Sequence, residues 1–124
     1  MKTLKTIQLD KTVIDIPFEK DGKVVLTLHF DRSDENVKKF YKLQEELQTK
    51  IDGLEKQKDA PLDEANKIIK QIADGILGDG AFDSMYKLNP STMIVAKYLY
   101  LIAIGIKEEL EAEDFKAVED KYLN

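Results

Sequence analysis

The chain has no cysteine, no tryptophan and a single histidine, His29. Without cysteine there is no disulfide framework, no thiolate zinc or iron–sulfur site and no thiol nucleophile. One histidine cannot supply a histidine-based metal cluster within a single chain. A basic surplus is missing too: 24 acids against 19 bases leave a formal net charge of -5. That balance argues against affinity built on neutralising phosphates, so no nucleic-acid partner is expected. Long hydrophobic runs are absent. The longest, Met93 to Ile106, is interrupted by Lys97; it is too short to span a bilayer and reads as a buried helix. Met1 to Phe18 lacks an apolar core and a small-residue cleavage site, so no signal peptide is expected and no membrane partner. The expected setting is a cytoplasm.

What is present suits a globular domain: 124 residues, 43% hydrophobic and 35% charged. The length fits one domain over residues 1–124, whose folding buries about two-thirds of the unfolded chain's surface. The charge is uneven. Residues 1–107 hold seventeen acids and seventeen bases, whereas 108–124 hold seven acids against Lys116 and Lys121. A charged end of this kind reads either as a solvated helix end or as an acidic segment that steers a basic partner. Acids near a helix C-terminus oppose the macrodipole, so this end frays unless it packs. Phe115, Val118 and Tyr122 recur at helical spacing and could dock it.

The first third, residues 1–32, alternates with period two. Ile14, Ile16 and Phe18 share one face. Beyond Glu19-Lys20-Asp21-Gly22 the alternation resumes, with Val24, Leu26, Leu28 and Phe30 inward. Alternation on both sides of an Asp-Gly pair predicts an antiparallel hairpin. Pro17 cannot donate to a ladder and marks an edge. Ile7 and Leu9 could add a third strand. So small a sheet needs helices over its apolar face.

From Ser33 the period becomes helical. Ser33 or Asp34 can cap, and Val37, Phe40, Leu43, Leu47, Ile51 and Leu54 form one stripe. Gln44 interrupts a strict heptad seam, so burial within the chain is favoured over an intermolecular coiled coil. Lys56 to Ala60 reads as a connection, and Pro61 suits the first turn of a second helix. Leu62, Ala65, Ile68, Ile69, Ile72, Ile76 and Leu77 form that helix's apolar face, and Gly78-Asp79-Gly80 stops it. A short helix carrying Phe82, Met85 and Tyr86 runs to Asn89-Pro90, after which Ser91 caps a long last helix. The fold class is therefore α+β, mostly α: a hairpin of two or three strands, an antiparallel helical hairpin, a short helix and a long C-terminal helix. The last helix is expected between the helical hairpin and the sheet. Being apolar nearly all round from Tyr98 to Ile102, it is either buried on every side or waiting for a partner.

The residues of catalysis do not assemble. His29 has no nucleophile in view, and general-base work needs positioned partners. Asp79 and Asp83 flank Gly80, but the calcium loop's alternating ligands and distal Glu are lacking. Gly78-Asp79-Gly80 is no phosphate loop, since no Gly-Lys-Ser/Thr follows; a helix C-cap and tight turn is the favoured reading. Glu45-Glu46 and Glu108-Glu109 lie on polar faces. No enzyme site, cofactor or metal is expected.

Three stretches carry a family likeness: Phe30-Asp31-Arg32-Ser33-Asp34 running into a charged helix, Ile76 to Tyr86, and Asn89-Pro90-Ser91. Together they resemble the tail assembly chaperones of long-tailed phages and prophages of Gram-positive bacteria. The likeness spans roughly residues 24–110, with Leu77 standing where that family has an aromatic. It implies a non-catalytic protein that coats the hydrophobic, helical tape measure protein until tail tube protein polymerises around it, and then leaves. It also implies self-association, a host bacterial cytoplasm as the setting, absence from the finished virion, and a longer product made by frameshifting near the end of the short form. The contact surface expected from this reading centres on Phe82, Met85, Tyr86, Tyr98 and Leu101. The alternatives are a small structural tail or connector component and a generic protein-binding adaptor.

Overall fold

Asp21 and Gly22 reverse the chain with φ values of 53° and 81°. Positive φ at both central positions is the type I′ turn, whose twist matches that of the strands it joins. Gly22 meets this demand without a Cβ clash. The turn links β1 (Val13–Lys20) to β2 (Lys23–Asp31) in an antiparallel pair. Ile14 lies opposite Phe30, Ile16 opposite Leu28 and Phe18 opposite Leu26. The register then shifts, because Glu19 faces Val24 and leaves Val25 as an extra residue. That bulge breaks the alternation. Val24, expected inward with Leu26, is exposed.

The structure is a computed structural model that describes residues 2–56 and 62–112, with the side chains of 54–56 excepted. The sheet has two strands, and residues 2–12 add none to it. Ile7 and Leu9 are 81% and 94% exposed. Two apolar positions bury too little to offset the entropy of ordering another strand. Instead the incoming chain is held at its end: Arg32 donates its backbone N–H to the Thr12 carbonyl (2.7 Å) and its guanidinium to the Lys11 carbonyl.

Four helices follow: α1 (Asp34–Lys56), α2 (Leu62–Leu77), α3 (Ala81–Leu88) and α4 (Thr92–Glu111). Ser33 precedes α1, its N–H bonded to Asp31 Oδ1 (3.0 Å) and its carbonyl accepting from Val37 (2.9 Å). Asp34 and Glu35 place negative charge at the positive end of the helix dipole. The stripe falls where its spacing puts it, with Phe40 and Leu47 buried and Val37, Leu43 and Ile51 half-buried. Lys56, expected in the connection, is the last residue of α1, whereas the side chain of Leu54, residues 57–60, Pro61 and the expected docking residues Phe115, Val118 and Tyr122 lie outside what is described.

In α2, Ala65, Ile69, Ile72, Ala73 and Ile76 are buried; Leu62, at the start, is exposed. Gly75, late in α2, faces Leu43 of α1. A Cβ at Gly75 would stand 2.7 Å from Leu43 Cδ1, so the missing side chain leaves room for that methyl group. Ser91 caps α4 as expected, its Oγ accepting the Ile94 N–H at 3.3 Å.

The core is one cluster fed by β2 and all four helices, with Ile14, Ile16 and Phe18 of β1 half-buried against it. Leu28 and Phe30 enter from β2, Phe40 and Leu47 from α1, Ile69 and Ile72 from α2, Phe82 and Met85 from α3, and Val95, Leu99 and Ile106 from α4. Phe30 and Phe40 meet edge to face at 5.6 Å. The sheet packs mainly on α2, and α4 lies against all three other helices. The link from α4 to the sheet is narrower than expected: Tyr98 meets Phe18 edge to face at 5.7 Å.

Phe30 and Phe40 are both fully buried. Phe30→Ala and Phe40→Ala are each predicted to cost about 3–5 kcal/mol, a large share of a typical domain's stability. The double variant is predicted to cost less than the sum, because the rings share one contact. Urea denaturation followed by circular dichroism measures all three.

Candidate functional site

Gly78-Asp79-Gly80 separates α2 from α3. Gly78 closes α2, its N–H bonded to the Asp74 carbonyl at 2.9 Å. Gly80 stands at the N-cap of α3 and has no side chain to offer the free amides there. Asp74, one turn back in α2, does this instead: its Oδ1 accepts the Phe82 N–H at 3.0 Å. A carboxylate at a helix N-terminus satisfies an orphan donor and meets the positive end of the dipole. The motif is a helix junction. Asp79 is exposed, and Asp83 faces Lys70 at 3.3 Å across the surface. Among the described residues, no group of three or more His, Asp or Glu converges as a metal site would require.

His29 lies opposite Asp15 on the outer face of the hairpin, Nδ1 to Oδ1 2.9 Å, with both side chains more than half exposed. It is a cross-strand surface pair. Polar contacts also pin the N-terminal part of α4. Asn66 donates to Thr92 Oγ1 at 3.0 Å, and the Tyr98 hydroxyl donates to Asn89 Oδ1 at 2.7 Å.

The five residues expected to form a contact surface do not come together on one patch. Phe82 and Met85 are buried in the core, so they support the surface without touching a partner. Tyr98 is half-buried, held by Asn89 and Phe18. Tyr86 stacks on Phe82 at 5.5 Å and turns its other side outward. Leu101 is 55% exposed in the middle of α4.

Exposed apolar side chains gather around Leu101. Met93, Ile94, Tyr100 and Ile104 are exposed with it on the side of α4 opposite Val95, Leu99, Ile102 and Ile106. The helix is therefore half-buried, where its sequence allowed burial on every side. A groove of about 180 Å³ runs beside this face, between Gln44 and Gln48 of α1 and Tyr100, Ile104 and Lys107 of α4. Gln44, the residue that interrupts the α1 heptad, lines this groove. Ile94, Tyr100 and Ile104 were not among the expected contact residues; their spacing on the solvent side is the signal that could have found them. No helix among the described residues is long and apolar enough to cross a membrane.

Asp74→Ala is predicted to lower stability by about 1 kcal/mol, the worth of a capping side chain. Asp79→Ala and Asp83→Ala are predicted to stay within about 0.5 kcal/mol, as exposed charges do. Thermal denaturation of the three variants separates a capping carboxylate from surface ones. An Asp79→Ala loss equal to that of Asp74→Ala would overturn the assignment. No family model, curated protein or solved structure matches the chain.

Proposed function

We propose that the protein is a non-catalytic assembly chaperone of long-tailed phages, binding the apolar, helical tape measure protein in the bacterial cytoplasm until tail tube protein assembles around it. The observation that carries this reading is the exposed apolar face of α4, centred on Leu101, on a protein that is otherwise highly charged. Apolar exposure gathered on one helix marks an interaction surface more often than scattered residues do. A client helix can lay its own apolar face along it.

The segments that resemble the chaperone family support the reading by position. Phe30 to Asp34 is the junction of β2 and α1, Ile76 to Tyr86 runs from the end of α2 through most of α3, and Asn89 to Ser91 leads into α4. The first joins the sheet to α1, and the other two are the joints that lead into α3 and α4. A second reading, a structural component of the tail, is favoured by the hairpin: a two-stranded sheet leaves strand edges open to pair with another subunit.

Co-expression with the tape measure protein of the same gene cluster is predicted to raise that client's soluble fraction. Leu101→Asp, on an exposed position, is predicted to weaken binding by about thirtyfold, as a hot-spot truncation of roughly 2 kcal/mol does, with the circular dichroism spectrum unchanged. A client equally insoluble with and without the protein defeats the reading. Mass spectrometry of purified particles separates the two roles, because a chaperone is absent from them and a structural component is present.

A further inference from the structure

The solvent side of α4 carries a regular seam. Ile94, Lys97, Leu101, Ile104, Glu108 and Glu111 are all exposed, and the steps between them alternate three and four. That alternation keeps residues on one narrow stripe of a helix, the a and d positions of a coiled coil. The seam has a direction. Its centre is apolar (Leu101 and Ile104), a cation stands one turn before the centre (Lys97), and an anion stands one turn after it (Glu108). Neither Lys97 nor Glu108 has an ion-pair partner among the described residues.

This order of charges makes the seam complementary to its own reverse. Two α4 helices laid antiparallel about a two-fold axis midway between positions 101 and 104 bring Leu101 against the partner's Ile104. Lys97 then meets the partner's Glu108 at both ends of that apolar centre. A parallel pair stacks Lys97 on Lys97 and Glu108 on Glu108, and like charges face to face repel. We infer that α4 pairs with α4 of a second copy of this chain, antiparallel, with Leu101 and Ile104 at the centre and Lys97–Glu108 pairs flanking it.

The seam covers about 25 Å of helix. An interface of that size is at the small end for stable association, so the pair forms and dissociates with concentration, and its exposed ion pairs make it weaker in high salt. The inference rests on α4 alone; a client helix laid on Leu101 takes the place of the second copy, so the dimer is the form of the chain without client.

Sedimentation velocity of the full chain across the micromolar to millimolar range tests it. The wild type is expected to pass from monomer to dimer. Lys97→Glu and Glu108→Lys are each expected to weaken the dimer about tenfold or more, since each turns two attractive pairs repulsive. The Lys97→Glu/Glu108→Lys double variant restores it, because the antiparallel register pairs the swapped charges again. Both substitutions are at exposed positions, and circular dichroism of the three variants checks that the fold is kept. The cysteine-free sequence allows a second measurement. A mixture of Leu101→Cys and Ile104→Cys proteins is expected to form a mixed disulfide faster than either protein links to itself. A chain that stays monomeric over the whole range, single charge variants that dimerise like the wild type, or a folded double variant that fails to recover each overturns the inference.

Discussion

A two-stranded hairpin cannot hold itself together in water, and everything in this protein is arranged around covering the apolar face of one. Phe30 and Phe40 are where that requirement is met. Their edge-to-face contact joins the last inward position of β2 to the first fully buried position of α1, across a junction of a few residues. The junction is held by short-range polar contacts at Asp31, Arg32 and Ser33. Once Phe40 is fixed, the stripe of α1 faces inward, and α2 closes over it where Gly75 leaves room for Leu43. The remaining elements add to a surface already set.

The second constraint is the placement of α3 and α4 on that base. A glycine at the N-cap of α3 leaves its amides without a local partner, and Asp74 supplies the carboxylate from the preceding helix. This ties the angle of α3 to α2, and through Ser91 and Thr92 the start of α4 to both. Tyr98 spans to Asn89 by its hydroxyl and to Phe18 by its ring, so one side chain locks the helix, the loop before it and the sheet. The outer face of α4 is therefore presented on a braced helix, which lowers the entropy lost when something docks there.

The sequence made much of this legible, and the gaps have physical causes. The Asp-Gly turn, the two helical stripes and the Ser91 cap were readable because each depends on neighbours within one or two turns. The bulge at Val25 was not, since register is set by pairing across the hairpin, and one extra residue turned Val24 outward. Ile7 and Leu9 show the right alternation for a strand, but alternation says nothing of whether an edge is available and worth the ordering. Phe82 and Met85 looked like contact residues through their side chains alone. Their burial depends on where α3 lands, which is decided by Asp74 eight residues earlier. The exposed half of α4 was hidden for the opposite reason: in a helix apolar nearly all round, the sequence cannot say which side the core takes. Once Val95, Leu99, Ile102 and Ile106 are inside, the other side is fixed by geometry.

That division also gives the acidic end of α4 a meaning. Glu108, Glu109 and Glu111 crowd the negative end of a helix dipole with no basic residue in the last turn to offset them. In an isolated helix this costs stability, and Ser91, Thr92 and Tyr98 hold the other end as if the strain had to be carried there. An antiparallel neighbour reverses the sign of the problem. It brings the positive half of one α4, with Lys97, beside the negative half of the other, so that acids unfavourable to their own helix favour the pair. The arrangement that is poor for a lone helix is a consistent one for two.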